Sequence, residues 1–103
     1  MDRVSGSSPR DLAVTFRSVP RRIREGRDDL PDEVAAPFLA RIRSLVTRSA
    51  VLVGAPDDPA LLADAIEATP ADAWDQRLDT LRELALDLGH VLRELGDAAE
   101  QHR

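Results

Sequence analysis

A chain of 103 residues with fourteen Leu, eight Val, three Ile, two Phe and one Trp can bury one real core without staples. The absence of cysteine excludes a disulfide framework, a thiolate metal site and a cysteine nucleophile. No apolar run approaches the roughly eighteen residues of a membrane span and no leader-type segment follows Met1, so a cytoplasmic protein is expected.

The net charge of −5 conceals a split. Residues 1–54 carry ten Arg against seven acids, or +3, whereas residues 55–103 carry four Arg against twelve acids, or −8. The simplest expectation is that the two halves attract each other, within one fold or across a dimer. A basic surface for an acidic partner is the sharper alternative. The acidic balance argues against nucleic acid, since neutralising phosphate is the main source of affinity there.

Residues 1–7 are a polar Gly/Ser lead, expected to be disordered. Ser8-Pro9-Arg10-Asp11 has the form of a helix start, with Ser8 capping and Asp11 in the capping-box position. Leu12, Phe16, Val19 and Ile23 follow at helical spacing as far as Gly26, a natural stop. Pro20 lies inside this pattern and predicts a kink or break near Ser18–Val19, giving two short helices in one phase.

A long helix is predicted from Pro31 to Val53, with Pro37 tolerated near its start. Val34, Phe38, Leu39, Ile42, Leu45, Val46, Ala50, Leu52 and Val53 form its apolar side. That arc also meets the composition rule for a membrane-surface helix, but the bundle would lose its centre without it. Gly54 to Pro59 is the clearest break. Asp58 then caps and Pro59 opens a short helix to about Ala68.

Thr69 as cap and Pro70 at the first turn predict a last helix running to Gly96, roughly 40 Å long. Trp74, Leu78, Leu81, Ala85, Leu88, Leu92 and Leu95 are spaced alternately four and three apart, a heptad stripe that Leu84 and Val91 widen. Close approach of a neighbouring helix is the expected reason for Gly89, which costs about 1 kcal/mol in mid-helix relative to Ala. Residues 98–103 read as a frayed tail. The domain is therefore 8–97, and the predicted class is all-α: a small bundle of two long antiparallel helices with shorter N-terminal and connecting helices.

Four constellations bear on function. Arg17, Arg21, Arg22, Arg24 and Arg27 lie within eleven residues and suit an anion, an acidic partner or the chain's own acidic half. Asp75, Asp79, Glu83 and Asp87 form a row at four-residue spacing, which makes sense opposite a basic surface. Leu62 to Trp74 has the outline of a helix-turn-helix, but Asp72 and Asp75 open its second helix and would face phosphates. Asp87 and His90 supply one Asp-x-x-His, and the only other histidine is His102, too few for a bundle di-metal centre or a three-histidine zinc site.

No Gly-rich phosphate loop, nucleophile elbow or catalytic triad can be read. The expected function is non-enzymatic and cofactor-free: a helical adaptor, regulator or accessory subunit. Trp74, Leu78, Leu81, Ala85, Leu88, Leu92 and Leu95 would be its oligomer interface. The alternative is an anion- or nucleic-acid-binding regulator using the arginine cluster. A small-molecule pocket near Trp74 is a third possibility.

Overall fold

The computed structural model describes residues 8–102, and the expected disorder of residues 1–7 lies outside them, as does Arg103. Its elements are α1 (Pro9–Asp29), α2 (Asp32–Val53), α3 (Pro59–Ala68), a 3-10 turn (Ala71–Ala73) and α4 (Arg77–Gln101), with no strand among the described residues. The chain is all-α, as its periodicity predicts.

Helix α1 opens as its sequence dictates. The Ser8 hydroxyl accepts from the Asp11 N–H and the Asp11 carboxylate accepts from the Ser8 N–H, completing the capping box. The predicted break at Pro20 does not occur. The helix runs unbroken through Pro20, which is exposed, with Phe16 and Val19 buried on the core. Nor does Gly26 end the helix, which continues to Asp29 with the Leu30 N–H closing on the Gly26 carbonyl.

Gly26 has a different task. A Cβ at this position would lie 2.8–2.9 Å from three side-chain carbons of Leu95, so only glycine lets α1 approach α4 this closely. One turn earlier, Arg22 Nη2 donates to the Leu92 carbonyl at 3.0 Å. The same guanidinium passes Gly96, where a Cβ would stand 3.4 Å from Nη2, in ordinary contact.

Helix α2 ends at Gly54, whose φ of 80° lies in the left-handed region and brings two successive N–H groups, its own and that of Ala55, onto the Ala50 carbonyl. Asp58 caps α3 by accepting from Ala60 and Leu61. The predicted start of α4 is wrong by seven residues. Pro70 is extended, the chain makes one 3-10 turn, and Asp75 Oδ1 accepts from the Arg77 N–H where α4 begins. Thr69 does not cap: its hydroxyl bonds back to the Ala65 carbonyl of α3. The far end is longer than predicted. Ala98 to Gln101 remain helical because Ala99 is buried on the core.

α2 and α4 lie antiparallel, with Arg41 opposite Glu94 and Arg48 sharing a surface groove with Asp87. The core between the helices is formed by Phe16 and Val19 of α1, Ile42 and Val46 of α2, Leu62 and Ile66 of α3, and Leu81, Leu88 and Leu95 of α4. Buried Ser49 is satisfied by the Leu45 carbonyl at 2.8 Å. The radius of gyration, 14.2 Å, exceeds the roughly 13 Å of a compact chain this size, and the extents of 45 × 33 × 17 Å describe a flattened molecule.

Candidate interaction surface

The heptad stripe is consumed by the fold. Leu81, Ala85, Leu88, Leu92 and Leu95 are all buried against the chain's own helices, Leu81 and Leu88 completely. Leu78 is half-buried at the edge of the core. Trp74 is not on the helix at all: it closes the 3-10 turn, packs against the core half-buried, and holds the Arg77 guanidinium 5.8 Å from its ring centroid. Its indole Nε1 is buried without an acceptor among the described residues.

The arginine cluster is dispersed by the helix that carries it. Arg17 reaches α3, where its Nη2 pairs with Asp64 and with Glu67 at 2.5 and 2.8 Å. The hydrogen bond from Arg17 holds the Glu67 carboxyl below its ordinary range, and the two carboxylates in turn raise the guanidinium. Arg22 is committed to the Leu92 carbonyl, and Arg21 lies 3.9 Å from Glu25 on its own helix. Arg24 and Arg27 are exposed.

Part of the charge split is thus neutralised inside one chain, through Arg17 to α3 and Arg41 to Glu94 at 3.2 Å. The predicted acidic row does not receive the arginines of α1, and its own partners are local: Asp75 pairs with Arg77 at 3.2 Å. Asp79, Glu83 and Asp87 face solvent, and Asp79 pairs with Arg82 one turn on at 3.1 Å. Asp75 lies before the helix, and the Arg77 N–H it caps lowers its pKa.

Leu86, 61 % exposed, lies off the stripe beside the acidic row. Gly89 also faces open space: a methyl at this position would meet nothing within 4 Å, so the close helix approach expected there is absent. Asp87 and His90 share their groove with Arg41, Arg48 and Glu94, and no three His, Cys, Asp or Glu side chains among the described residues are placed to hold a metal.

One surface feature has no counterpart in the sequence pattern. α1 and α2 are joined by a short turn and diverge from it, each packing mainly on α3 or α4 rather than on the other. Between them lies a hollow of about 420 Å³ where Ile23 and Arg27 of α1, Leu39 and Arg43 of α2, and Asp57 and Pro59 surround the buried Val19, Ile42 and Val46. Ile23 and Leu39 are only half-buried in it.

A second hollow of about 380 Å³ shares Arg27 and Leu39 with the first and continues to Ala35, Ala36 and Asp32. Arg27 on one bank and Arg43 on the other are exposed, and neither has a salt-bridge partner among the described residues. Asp57, which also lines the first hollow, accepts the Thr47 hydroxyl at 2.9 Å. No signal in one dimension marks this hollow, because its lining comes from two helices whose angle is set by what lies beneath them.

Among the described residues no helix is long and apolar enough to cross a membrane. Comparison with protein-family models, with curated proteins and with solved structures finds no match to this chain.

Proposed function

We propose that this protein is a small, non-enzymatic helical interaction module, an adaptor, regulator or accessory subunit that works in the cytoplasm by presenting a surface to another protein. The observation that supports this reading most directly is the hollow between α1 and α2, where Ile23 and Leu39 are half-buried beside two arginines without salt-bridge partners among the described residues. Half-buried aliphatic side chains in a concave strip, rimmed by charge, are the ordinary anatomy of a site that receives a helix or peptide. Self-association through residues 70–96 would require the core to open, since Leu81, Leu88, Leu92 and Leu95 fill it. The groove offers contact without that cost.

The test compares proteins retained by the native chain with those retained by an Arg27→Glu/Arg43→Glu variant of equal helicity. One partner held in stoichiometric amount by the first and lost by the second is expected. Retention of the same proteins by both, or of none by either, overturns the reading.

The rival reading, an anion- or nucleic-acid-binding regulator, draws on the exposed Arg21 and Arg24. Changing both to Glu would abolish ligand binding with the fold intact, whereas the interaction-module reading expects partner binding to survive that change.

A further inference from the structure

We propose that residues 70–76 are a two-state element, poised between the 3-10 turn described above and a second form in which α4 begins about two turns earlier, at Pro70. The observation that points to it is an uncompensated group. The Trp74 indole Nε1 is buried without an acceptor among the described residues, a loss that the present turn imposes and a changed backbone can remove.

The sequence of the second form is already in place. Thr69, Pro70 and Asp72 stand as cap, first residue and third residue of a capping box, and Ala71 and Ala73 are the strongest of helix formers. The backbone is close to it as well. Thr69 is extended at φ −76° and ψ 123°, as a cap residue is, Ala71–Ala73 already turn, and Gln76 is helical at φ −64° and ψ −16°. Pro70 and Trp74, with ψ of 149° and 121°, are two places where the chain departs from a helix. The Thr69 N–H, which a capping box would give to Asp72, now reaches the Ile66 carbonyl only at 3.3 Å. α3 packs on α1 and α2 rather than on α4, so lengthening α4 breaks no contact between those two helices.

Trp74 suits the longer helix. It stands four residues before Leu78 and seven before Leu81, so a helix through it aims the indole along the face that carries Leu81, Ala85 and Leu88. Asp75 is the latch of the present form. Its carboxylate accepts from the Arg77 N–H at 3.0 Å and from Arg77 Nε at 3.2 Å. Arg77 in turn donates to the Ala73 carbonyl at 2.8 Å and lies 5.8 Å from the Trp74 ring centroid. In the longer helix Asp75 would join Asp79, Glu83 and Asp87 at four-residue spacing, where like charges repel. The capping box and the freed indole favour one form, the Asp75 latch the other, which is the balance a bistable segment needs.

The experiment uses the full chain. Trp74 is its one tryptophan, so a single indole N–H signal in nitrogen-correlated NMR reports the segment. Relaxation dispersion at that signal and at residues 71–76 is expected to show a minor form with helical carbon shifts, populated at about 1 %. Asp75→Ala releases the latch and should raise the ratio of long to short form about fivefold, whereas Asp75→Asn, which can still cap, should leave it within about twofold. Adding Thr69→Ala and Asp72→Ala to Asp75→Ala should abolish the gain.

A native chain without exchange, together with an Asp75→Ala variant without helical shifts at residues 71–76, overturns the proposal. A minor form with random-coil shifts overturns it too, since the segment then merely frays. So does a long form that survives the loss of Thr69 and Asp72.

Discussion

Replacing Gly26 with alanine should destabilise the protein, although the same change raises helix propensity by about 1 kcal/mol at an open site. The new methyl would lie 2.8 Å from Leu95 Cδ1 and 2.9 Å from both Cδ2 and Cγ. Rotating the tip of Leu95 cannot relieve the contact, because Cγ is as close as the methyls and the side chain is only 1 % exposed. α1 and α4 must therefore move apart or Leu95 must take a poor rotamer.

Overpacking of this kind costs about 2–3 kcal/mol, which leaves a net loss of about 1–2 kcal/mol after the propensity gain. For a domain this size the loss corresponds to a melting temperature lower by roughly 4–16 °C. Thermal and urea unfolding followed by circular dichroism measures it. Leu95→Ala alone should cost about 2–5 kcal/mol through its cavity, yet in that background Gly26→Ala should become neutral or stabilising. An alanine at 26 that stabilises the otherwise native chain would refute the close approach of α1 and α4.

Gly89→Ala provides the contrast, with a gain of up to about 1 kcal/mol because its methyl meets nothing; the same melts report it. Leu88→Asp buries an unpaired carboxylate at a position with no exposure and should unfold the chain, visible as lost helicity at neutral pH. Arg22→Met should cost about 1–2 kcal/mol by removing the donor to the Leu92 carbonyl, whereas exposed Arg24→Met should change unfolding by less than about 0.5 kcal/mol. Glu67 is held below its usual pKa of 4.5 by Arg17, so its contribution is present in full above that value and is lost as pH falls through the depressed one. Glu67→Gln should therefore flatten the acid limb of the stability profile, read by urea midpoints across pH.

What can be read in one dimension is what is decided locally. The Ser8 and Asp58 caps, the prolines at Pro9 and Pro59 and the break at Gly54 each depend on a few neighbouring residues, and each stands where expected. Pro20, Gly26 and Gly89 mislead because their meaning depends on another helix: α1 runs through Pro20 with Phe16 and Val19 buried on the core, Leu95 explains Gly26, and no neighbour explains Gly89.

Thr69-Pro70 is a good local helix start that the chain does not use. Asp75 competes as a cap for Arg77, and the 3-10 turn lets Trp74 pack against the core. The heptad of α4 correctly marks a buried face, but periodicity alone does not say whether its cover is the same chain or another. The hollow is illegible in sequence because its lining comes from two helices, Arg27 from α1 and Arg43 from α2, whose separation is set by what they pack on.

The most direct test is the solution mass by light scattering, at low and at high salt. Because α4 is covered by the helices of its own chain, the native protein is expected at 11.3 kDa in both conditions. A particle of twice that mass in both that falls to 11.3 kDa only as helicity is lost would contradict this, because it would make the burial of the α4 leucines depend on a second chain.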